Sequence, residues 1–242
     1  MAEETLASAP TALPKYQNLA EMLIREIAAG RLPNGSKLPP ERIFASQLGV
    51  AIGTLRKALD VLVEKGLIER IQGSGNYVRA KGSVESIYSL FRLERLEGGG
   101  LPSAEILTLS FGPKPARVPT FGPSEQAHRI RRLRFLDDRA IAMEEIFLDA
   151  SAAPDRNAAF RKEDLGDALY LHYKHALGVV IARVEDRIGV AVAPAWSDPR
   201  FGPSPGTQVG FVERVSRLAD GAAIEFSRTW FDPNEARYIN RF

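Results

Sequence analysis

The chain has 242 residues, of which 45% are hydrophobic and 26% charged, a balance that allows two modest globular domains. No apolar run approaches the roughly 18–20 residues that a membrane helix needs. Residues 1–13 lack the basic start and apolar stretch of a signal peptide, so we expect a disordered lead in a cytoplasmic protein. The absence of cysteine excludes disulfides and thiolate metal sites.

The formal net charge of +2 conceals an uneven distribution along the chain. Residues 14–81 contain 11 lysines and arginines against 6 acidic residues, a balance of +5. Residues 82–242 contain 21 against 22, a balance of −1. Positive charge is therefore concentrated in the first third, as expected of a segment that meets a polyanion.

The first third of the chain predicts three helices and a hairpin. Apolar spacing indicates a helix over 16–29 that Gly30 ends, and a short helix over 39–48 whose first turn tolerates its prolines. A tight glycine turn then leads into a third helix over about 53–65. A strand, the glycine-rich turn 72–76 and a second strand follow. This order predicts a helix-turn-helix followed by a hairpin that forms a wing.

The same residues resemble the DNA-binding domain of the GntR family. The resemblance covers about 65 residues and is carried by Leu38-Pro39-Pro40-Glu41-Arg42, Leu48-Gly49-Val50, Thr54-Leu55-Arg56-Lys57-Ala58-Leu59, Gly66-Leu67-Ile68 and Gln72-Gly73-Ser74-Gly75-Asn76-Tyr77-Val78. It implies DNA contacts from Arg42, Thr54, Arg56 and Gly73, and a phosphate contact from Lys57. Many members have Ser-Arg where this chain has Ala51-Ile52, so either its operator differs from the usual one or recognition depends more on Arg42 and Arg56.

These residue types suit DNA recognition. Arginine can donate two hydrogen bonds to guanine in the major groove, whereas lysine, threonine and backbone N–H groups bind phosphates. The alternative is that Arg42 and Arg56 are ordinary solvated charges on helices. The surrounding motif favours the DNA-binding interpretation of both residues.

The rest of the chain predicts an antiparallel sheet with one or two helices. Residues 81–100 form a linker in which Gly98–Gly100 is a flexible joint. A hairpin follows around Asp137-Asp138, and Asp220-Gly221 is the turn of the last hairpin. The predicted strands are 104–111, 127–136, 140–148, 180–192, 209–218 and 223–231, with a helix over 167–177.

This second part resembles the UTRA ligand-binding domain, which defines the HutC branch of the GntR family and has a chorismate-lyase-like fold. The resemblance is carried by Arg132-Leu133-Arg134, Glu144, Ala168-Leu169-Tyr170, Pro205-Gly206-Thr207, Asp220-Gly221, Ile224-Glu225-Phe226-Ser227-Arg228 and Tyr238. The predicted fold is therefore α+β, with a disordered lead (1–13), a winged helix-turn-helix (14–80), a linker (81–100) and a UTRA-like domain (101–242).

The UTRA resemblance also implies a ligand site. Its matching positions in this chain are Arg132, Arg134, Glu144, Glu225, Arg228 and Tyr238. The two hairpin arginines are two residues apart on a strand, so both can point at one anion. The alternative is a cross-strand charge pair on a solvated face. Ala168 replaces a serine that is common in sugar-phosphate sensors, so a carboxylate or a mixed acid-amine metabolite is about as plausible as a phosphosugar.

Other functions find less support in the sequence. His172 and His175 lie three apart on a predicted helix, but no further ligand set accompanies them, so we predict neither a metal nor a cofactor. An enzyme of chorismate-lyase-like fold and a DNA binder with a vestigial pocket remain alternatives. We predict a homodimeric, non-enzymatic repressor that binds an inverted repeat of double-stranded DNA and is released by a small anionic metabolite.

Overall fold

The computed structural model describes residues 14–79, 90–116, 118–153, 165 and 169–240, in two compact units. The N-terminal unit comprises the described residues from Pro14 to Pro102 together with the C-terminal residues from Arg237, and the C-terminal unit comprises Ser103–Ala236. The predicted lead, most of the first half of the predicted linker and Ala168 lie outside the described residues.

Three helices build the core of the N-terminal unit. They are α1 (Lys15–Ala28), α2 (Glu41–Gln47) and α3 (Ile52–Glu64). Gly49 has φ +65° in the tight turn between α2 and α3, a conformation that side chains with a Cβ rarely adopt. The helices bury one apolar stripe each, and the fully buried members include Leu23, Ile24, Leu55, Leu59 and Leu62.

The wing is an antiparallel pair of short strands, β1 (Ile68–Ile71) and β2 (Gly75–Val78). Ile68 and Val78 are buried in the helical core, whereas Ile71, Gly73 and Gly75 at the turn are exposed. Gly73 lies in that turn with φ +73°, so glycine is the residue that the turn accepts without strain. The wing is therefore anchored at one end and free at its tip.

A second small sheet joins the two ends of the N-terminal unit. Strand β3 (Leu93–Arg95) pairs with β10 (Ala236–Tyr238). Arg25 of α1 donates to the carbonyl oxygen of Leu93, and the backbone N–H of Gly99 donates to Glu94. The three glycines expected to form a flexible joint, residues 98–100, therefore form a hydrogen-bonded turn.

A six-stranded sheet forms the C-terminal unit, in the order β4-β5-β6-β9-β8-β7. The four neighbouring pairs β5–β6, β6–β9, β9–β8 and β8–β7 are antiparallel. Asp137 and Asp138 connect β5 to β6 with φ of +47° and +63°, as a two-residue hairpin turn requires. The strands are β4 (Pro102–Pro113), β5 (Gln126–Leu136), β6 (Arg139–Asp149), β7 (Arg183–Val192), β8 (Gln208–Arg217) and β9 (Ala223–Phe231).

Hydrophobic clusters pack on both faces of this sheet, whereas much of its edge strand β7 is exposed. On one face, α4 (Leu169–His172) and the π-helical turn Tyr173–Leu177 cover Ile130, Ile146 and Leu148. The opposite face carries two aromatic clusters, one around Trp230 and Phe201 and the other around Phe121 and Phe226. The predicted α+β class, a winged helix-turn-helix followed by an antiparallel sheet with helices, is confirmed.

Gly210 of β8 provides a test of sheet packing. A Cβ at this position would lie 2.2 Å from the Phe231 ring on the neighbouring strand, so we expect Gly210→Ala to reduce the free energy of unfolding by about 1–3 kcal/mol. Gly189→Ala in β7 is the matched control, because its Cβ would meet no atom within 4 Å. Urea unfolding of the three proteins measures the difference, and equal stability of the two variants would contradict this packing.

Candidate DNA-binding surface and effector site

The exposed face of α3 carries the residues predicted to contact DNA. Leu55, Ala58 and Leu59 face the core, which leaves Arg56 and Lys57 exposed on the other side of the helix. Thr54 is half-buried and its backbone N–H donates to the carbonyl oxygen of Ala51 at 2.9 Å. The structure therefore brings the predicted residues of α3 to one end of the helix.

Arg42 and Arg56 lie on adjacent helices of the same motif. Arg56 Nε donates to Glu41 Oε2 at 2.7 Å, and the Arg56 side chain is 60% exposed. An exposed ion pair of this kind contributes about 0–1 kcal/mol, so an incoming anion or base edge can displace Glu41 at low cost. Arg42 follows Glu41 on α2 and is also exposed.

The wing tip is the third part of this surface. Gly73 is exposed, and a Cβ added to it would meet no atom within 4 Å. The wing is tied to α3 by an ion pair between Arg70 and Asp60, at 2.6 Å. Because Gly73 has no side chain, a DNA backbone can approach the wing closely at this residue.

Four of the predicted ligand residues share one face of the sheet. The strand register pairs Arg132 with Glu144, and Arg134 is two residues further along the same strand. Glu225 pairs with Leu148, which lies on the same face as Glu144 because successive residues alternate between faces. The structure thus brings together Arg132, Arg134, Glu144 and Glu225, which we call the charged cluster.

Arg132 and Glu144 form the centre of the charged cluster. Arg132 Nε donates to Glu144 Oε2 at 2.8 Å, and Arg134 Nη1 lies 3.8 Å from the same oxygen. Burial raises the pKa of Glu144, but the two arginines outweigh it, so the pKa is lowered overall. Within the described part of the chain, Nη1 of Arg132 is buried without a hydrogen-bond acceptor.

Glu225 is buried and accepts hydrogen bonds from three hydroxyl groups. They come from Tyr173 at 2.7 Å, Ser216 at 2.9 Å and Tyr170 at 3.0 Å. Burial raises the pKa of Glu225 above its usual value, although the three hydroxyl groups partly offset this effect. Burial and the neighbouring Glu225 also raise the pKa of Tyr170.

Sequence reasoning did not include several residues of this face. Arg214 and Asp186, register partners on β8 and β7, form two hydrogen bonds at 2.6 and 2.7 Å. Tyr170, Tyr173 and Ser216 complete the surroundings of Glu225. The spacing of the two tyrosines, three residues apart on a helix, was a signal, but their partner on β9 emerges only from the tertiary structure.

Arg228 does not join the charged cluster. It is three residues from Glu225 on β9, so its side chain lies on the opposite face, where its Nε donates to Glu213 at 3.3 Å. Tyr238 lies in β10, which pairs with β3 in a separate two-stranded sheet, and its predicted ligand role stays a prediction.

Arg228 instead belongs to a row of alternating charges across the opposite face. The strand register aligns opposite charges on five neighbouring strands, and such cross-strand pairs stabilise a sheet. The row consists of Arg131, Glu145, Arg228, Glu213 and Arg187. The sequence did not predict this row. The cross-strand alternative that it left open concerned Arg132, Arg134 and Glu144: Arg132 and Glu144 do pair across strands, but on a buried face.

The described residues contain neither a membrane-spanning helix nor a cluster of metal ligands. No helix among them is long and apolar enough to cross a membrane. No group of three or more histidine or acidic side chains within them is arranged to hold a metal ion. His172 ends α4, and His175 lies exposed in the following π-helical turn.

An exposed basic helix-turn-helix with a wing, joined to a sheet with buried charges, is the arrangement of a DNA-binding transcriptional regulator. Comparison with known proteins agrees. The model of the bacterial regulatory proteins of the gntR family matches residues 15–78, and that of the UTRA domain matches residues 99–237. The chain belongs to the GntR family, in the branch that carries a UTRA domain.

Individual relatives match along nearly the whole chain. HTH-type transcriptional regulator SmoD of Agrobacterium fabrum is 49% identical, covering 95% of this chain and 96% of its own length. The mannosyl-D-glycerate transport/metabolism system repressor MngR of Escherichia coli is 27% identical, covering 93% and 94%. The crystal structure of the possible transcriptional regulator YydK from Bacillus subtilis has the same fold, with a TM-score of 0.53, 18% identity and coverage of 95% and 100%.

The raised pKa of Glu225 predicts a pH-dependent effect of Glu225→Gln. As the pH rises above about 4.3, the usual pKa of a glutamate, Glu225 ionises more readily in the unfolded chain than in the folded protein, which lowers the free energy of unfolding of the wild type. Glutamine does not ionise, so the variant lacks this loss. The free energy of unfolding of the variant should therefore rise relative to that of the wild type from pH 4 to pH 7. Urea unfolding at several pH values measures the difference, and a difference independent of pH would contradict the raised pKa.

Proposed function

We propose that this protein is a homodimeric repressor that a small anionic metabolite with hydroxyl groups releases from an inverted-repeat operator. The buried cluster of Arg132, Arg134 and Glu144 is the observation that carries the proposal. Its Arg132 Nη1 is a buried donor with no acceptor within the described residues, and such an atom costs free energy unless a ligand satisfies it.

DNA recognition is assigned to α3, the start of α2 and the wing. In this proposal Arg42 and Arg56 contact bases in the major groove, and Thr54 and Lys57 contact phosphates. The wing brings Gly73 toward the adjacent minor groove. The exposure of Arg42, Arg56, Lys57 and Gly73 supports this assignment, as does the low cost of breaking the exposed Arg56–Glu41 pair.

The chemistry of the charged cluster suggests the class of effector. Arg132 and Arg134 supply donors for a carboxylate or phosphate, with Glu144 as their counter-ion in the absence of ligand. Glu225 and its hydroxyl partners suit the hydroxyl groups of a sugar or polyol. The name of MngR refers to mannosyl-D-glycerate, which combines a sugar with a carboxylate, and an effector of this mixed class fits the cluster.

Repression and release follow from differential binding. Two protomers present two recognition helices to the two halves of an inverted repeat. The dimer has one arrangement of protomers that fits the two half-sites and another that does not. An effector that binds the second arrangement more tightly shifts the population toward that arrangement and so releases DNA. In this proposal the effector leaves the site chemically unchanged, because the protein acts as a sensor rather than an enzyme.

Fluorescence anisotropy with labelled DNA from upstream of the protein's own gene tests this function. We expect tight, sequence-preferring binding that weakens with salt, and a loss of binding on addition of one sugar acid or sugar phosphate. Recovery of the unchanged compound after incubation tests for turnover. Binding no tighter than to random DNA, also after selection of operators from random sequences, would refute the proposal.

Arg56→Ala should weaken operator binding by about 1–3 kcal/mol per half-site and relax the choice of base at one position. The reason is the loss of a bidentate contact with a base edge. Arg187→Ala is the matched control, because Arg187 is an equally exposed arginine in an ion pair, with Glu185, on the C-terminal sheet. Operator titrations measure both variants, and wild-type affinity of Arg56→Ala would remove Arg56 from the interface.

Arg134→Ala should leave DNA binding intact and abolish the response to effector, because Arg134 points into the charged cluster. Arg228→Ala on the opposite face is the control and should retain the response. Arg134→Met preserves the side-chain volume in case the alanine variant unfolds. The effector concentration that releases half of the DNA is the measurement, and an unchanged value for both Arg134 variants would exclude this arginine from the site.

A further inference from the structure

Three isoleucines of the N-terminal unit are exposed instead of packed in its core. They are Ile43 on α2, Ile52 at the start of α3 and Ile71 near the wing turn, with exposed fractions of 53%, 39% and 39%. Exposed aliphatic side chains are unremarkable one at a time. The position of Ile52 is unusual, because it is the first residue of the helix assigned to the major groove.

The first turn of α3 gives Ile52 an open surrounding. Its sequence neighbours Ala51 and Gly53 are small and exposed, so neither of them shields it. Thr54 is half-buried and Leu55 faces the core. Ile52 is therefore the largest exposed side chain of the turn, and it lies four residues before Arg56, on the same side of the helix.

The major groove offers few partners for an aliphatic side chain. Base edges there present hydrogen-bond donors and acceptors, and the 5-methyl group of thymine is the one apolar group among the four standard bases. A branched aliphatic side chain placed against this methyl group removes both from water. Beside cytosine, the same side chain would cover a polar amino group without offering it a hydrogen bond.

We propose that Ile52 is a specificity-determining residue that recognises the 5-methyl group of a thymine in each half-site. This inference rests on the proposed DNA-binding function of α3. The recognition helix would then make two kinds of base contact one turn apart, an apolar contact through Ile52 and a hydrogen-bonding contact through Arg56. The operator should therefore carry a thymine next to the base pair that Arg56 contacts, within about one or two base pairs.

Replacing thymine with uracil tests the contact, because the two bases differ only by the methyl group. In a duplex operator obtained by selection, single uracil substitutions should reveal one thymine per half-site whose methyl group contributes about four-fold to affinity. Ile52→Ala should bind the thymine and uracil operators about equally. Ile43→Ala, which shortens the other exposed helical isoleucine, should keep the wild-type preference.

The outcomes separate the inference from the function on which it rests. If the unmodified operator is not bound preferentially, the proposed function fails and this inference with it. If the operator is bound but no uracil substitution lowers affinity, or if Ile52→Ala retains the discrimination, only the role of Ile52 is refuted. Loss of discrimination in Ile52→Ala but not in Ile43→Ala would establish the methyl contact.

Discussion

The alternation of side chains along antiparallel strands is the constraint on which the C-terminal unit depends. Because every second residue points to the same face, the register of β5, β6 and β9 places Arg132, Arg134, Glu144 and Glu225 together. The same constraint sends Arg228 to the opposite face, into the row of alternating charges. A shift of one residue in any of these pairings would dismantle the cluster.

The charged cluster also imposes a cost on the stability of the fold that carries it. Glu225 is kept in a buried position where ionisation is unfavourable, and Arg132 keeps a buried donor without an acceptor in the described structure. Apolar residues at these positions would pack without such costs. The presence of Arg132 and Glu225 in the middle of the sheet supports the proposed ligand site, because a bound ligand would satisfy buried polar groups that the fold leaves unsatisfied.

The N-terminal unit differs, because the side chains proposed to contact DNA are exposed and weakly held. Among the described residues Arg56 forms an exposed ion pair with Glu41, and Gly73 adds no side chain to the wing tip. Weak intramolecular contacts suit a surface that must exchange water and counterions for DNA. Ile52 extends this surface with an apolar group, so polar and apolar recognition lie within one turn of one helix.

The sequence by itself determined the order of the elements and the α+β class, because apolar periodicity and glycine turns are local properties. Its motifs indicated the family. It also identified which residues of α3 share the exposed face, since a helix fixes which neighbours lie on one side. Only the tertiary structure decided which of the predicted ligand residues lie together in the charged cluster. Three features depend on the register between strands that are distant in sequence, which local periodicity does not specify. They are the position of Arg228 on the opposite face, the hydrogen bonds from two tyrosines to Glu225, and the Arg214–Asp186 ion pair.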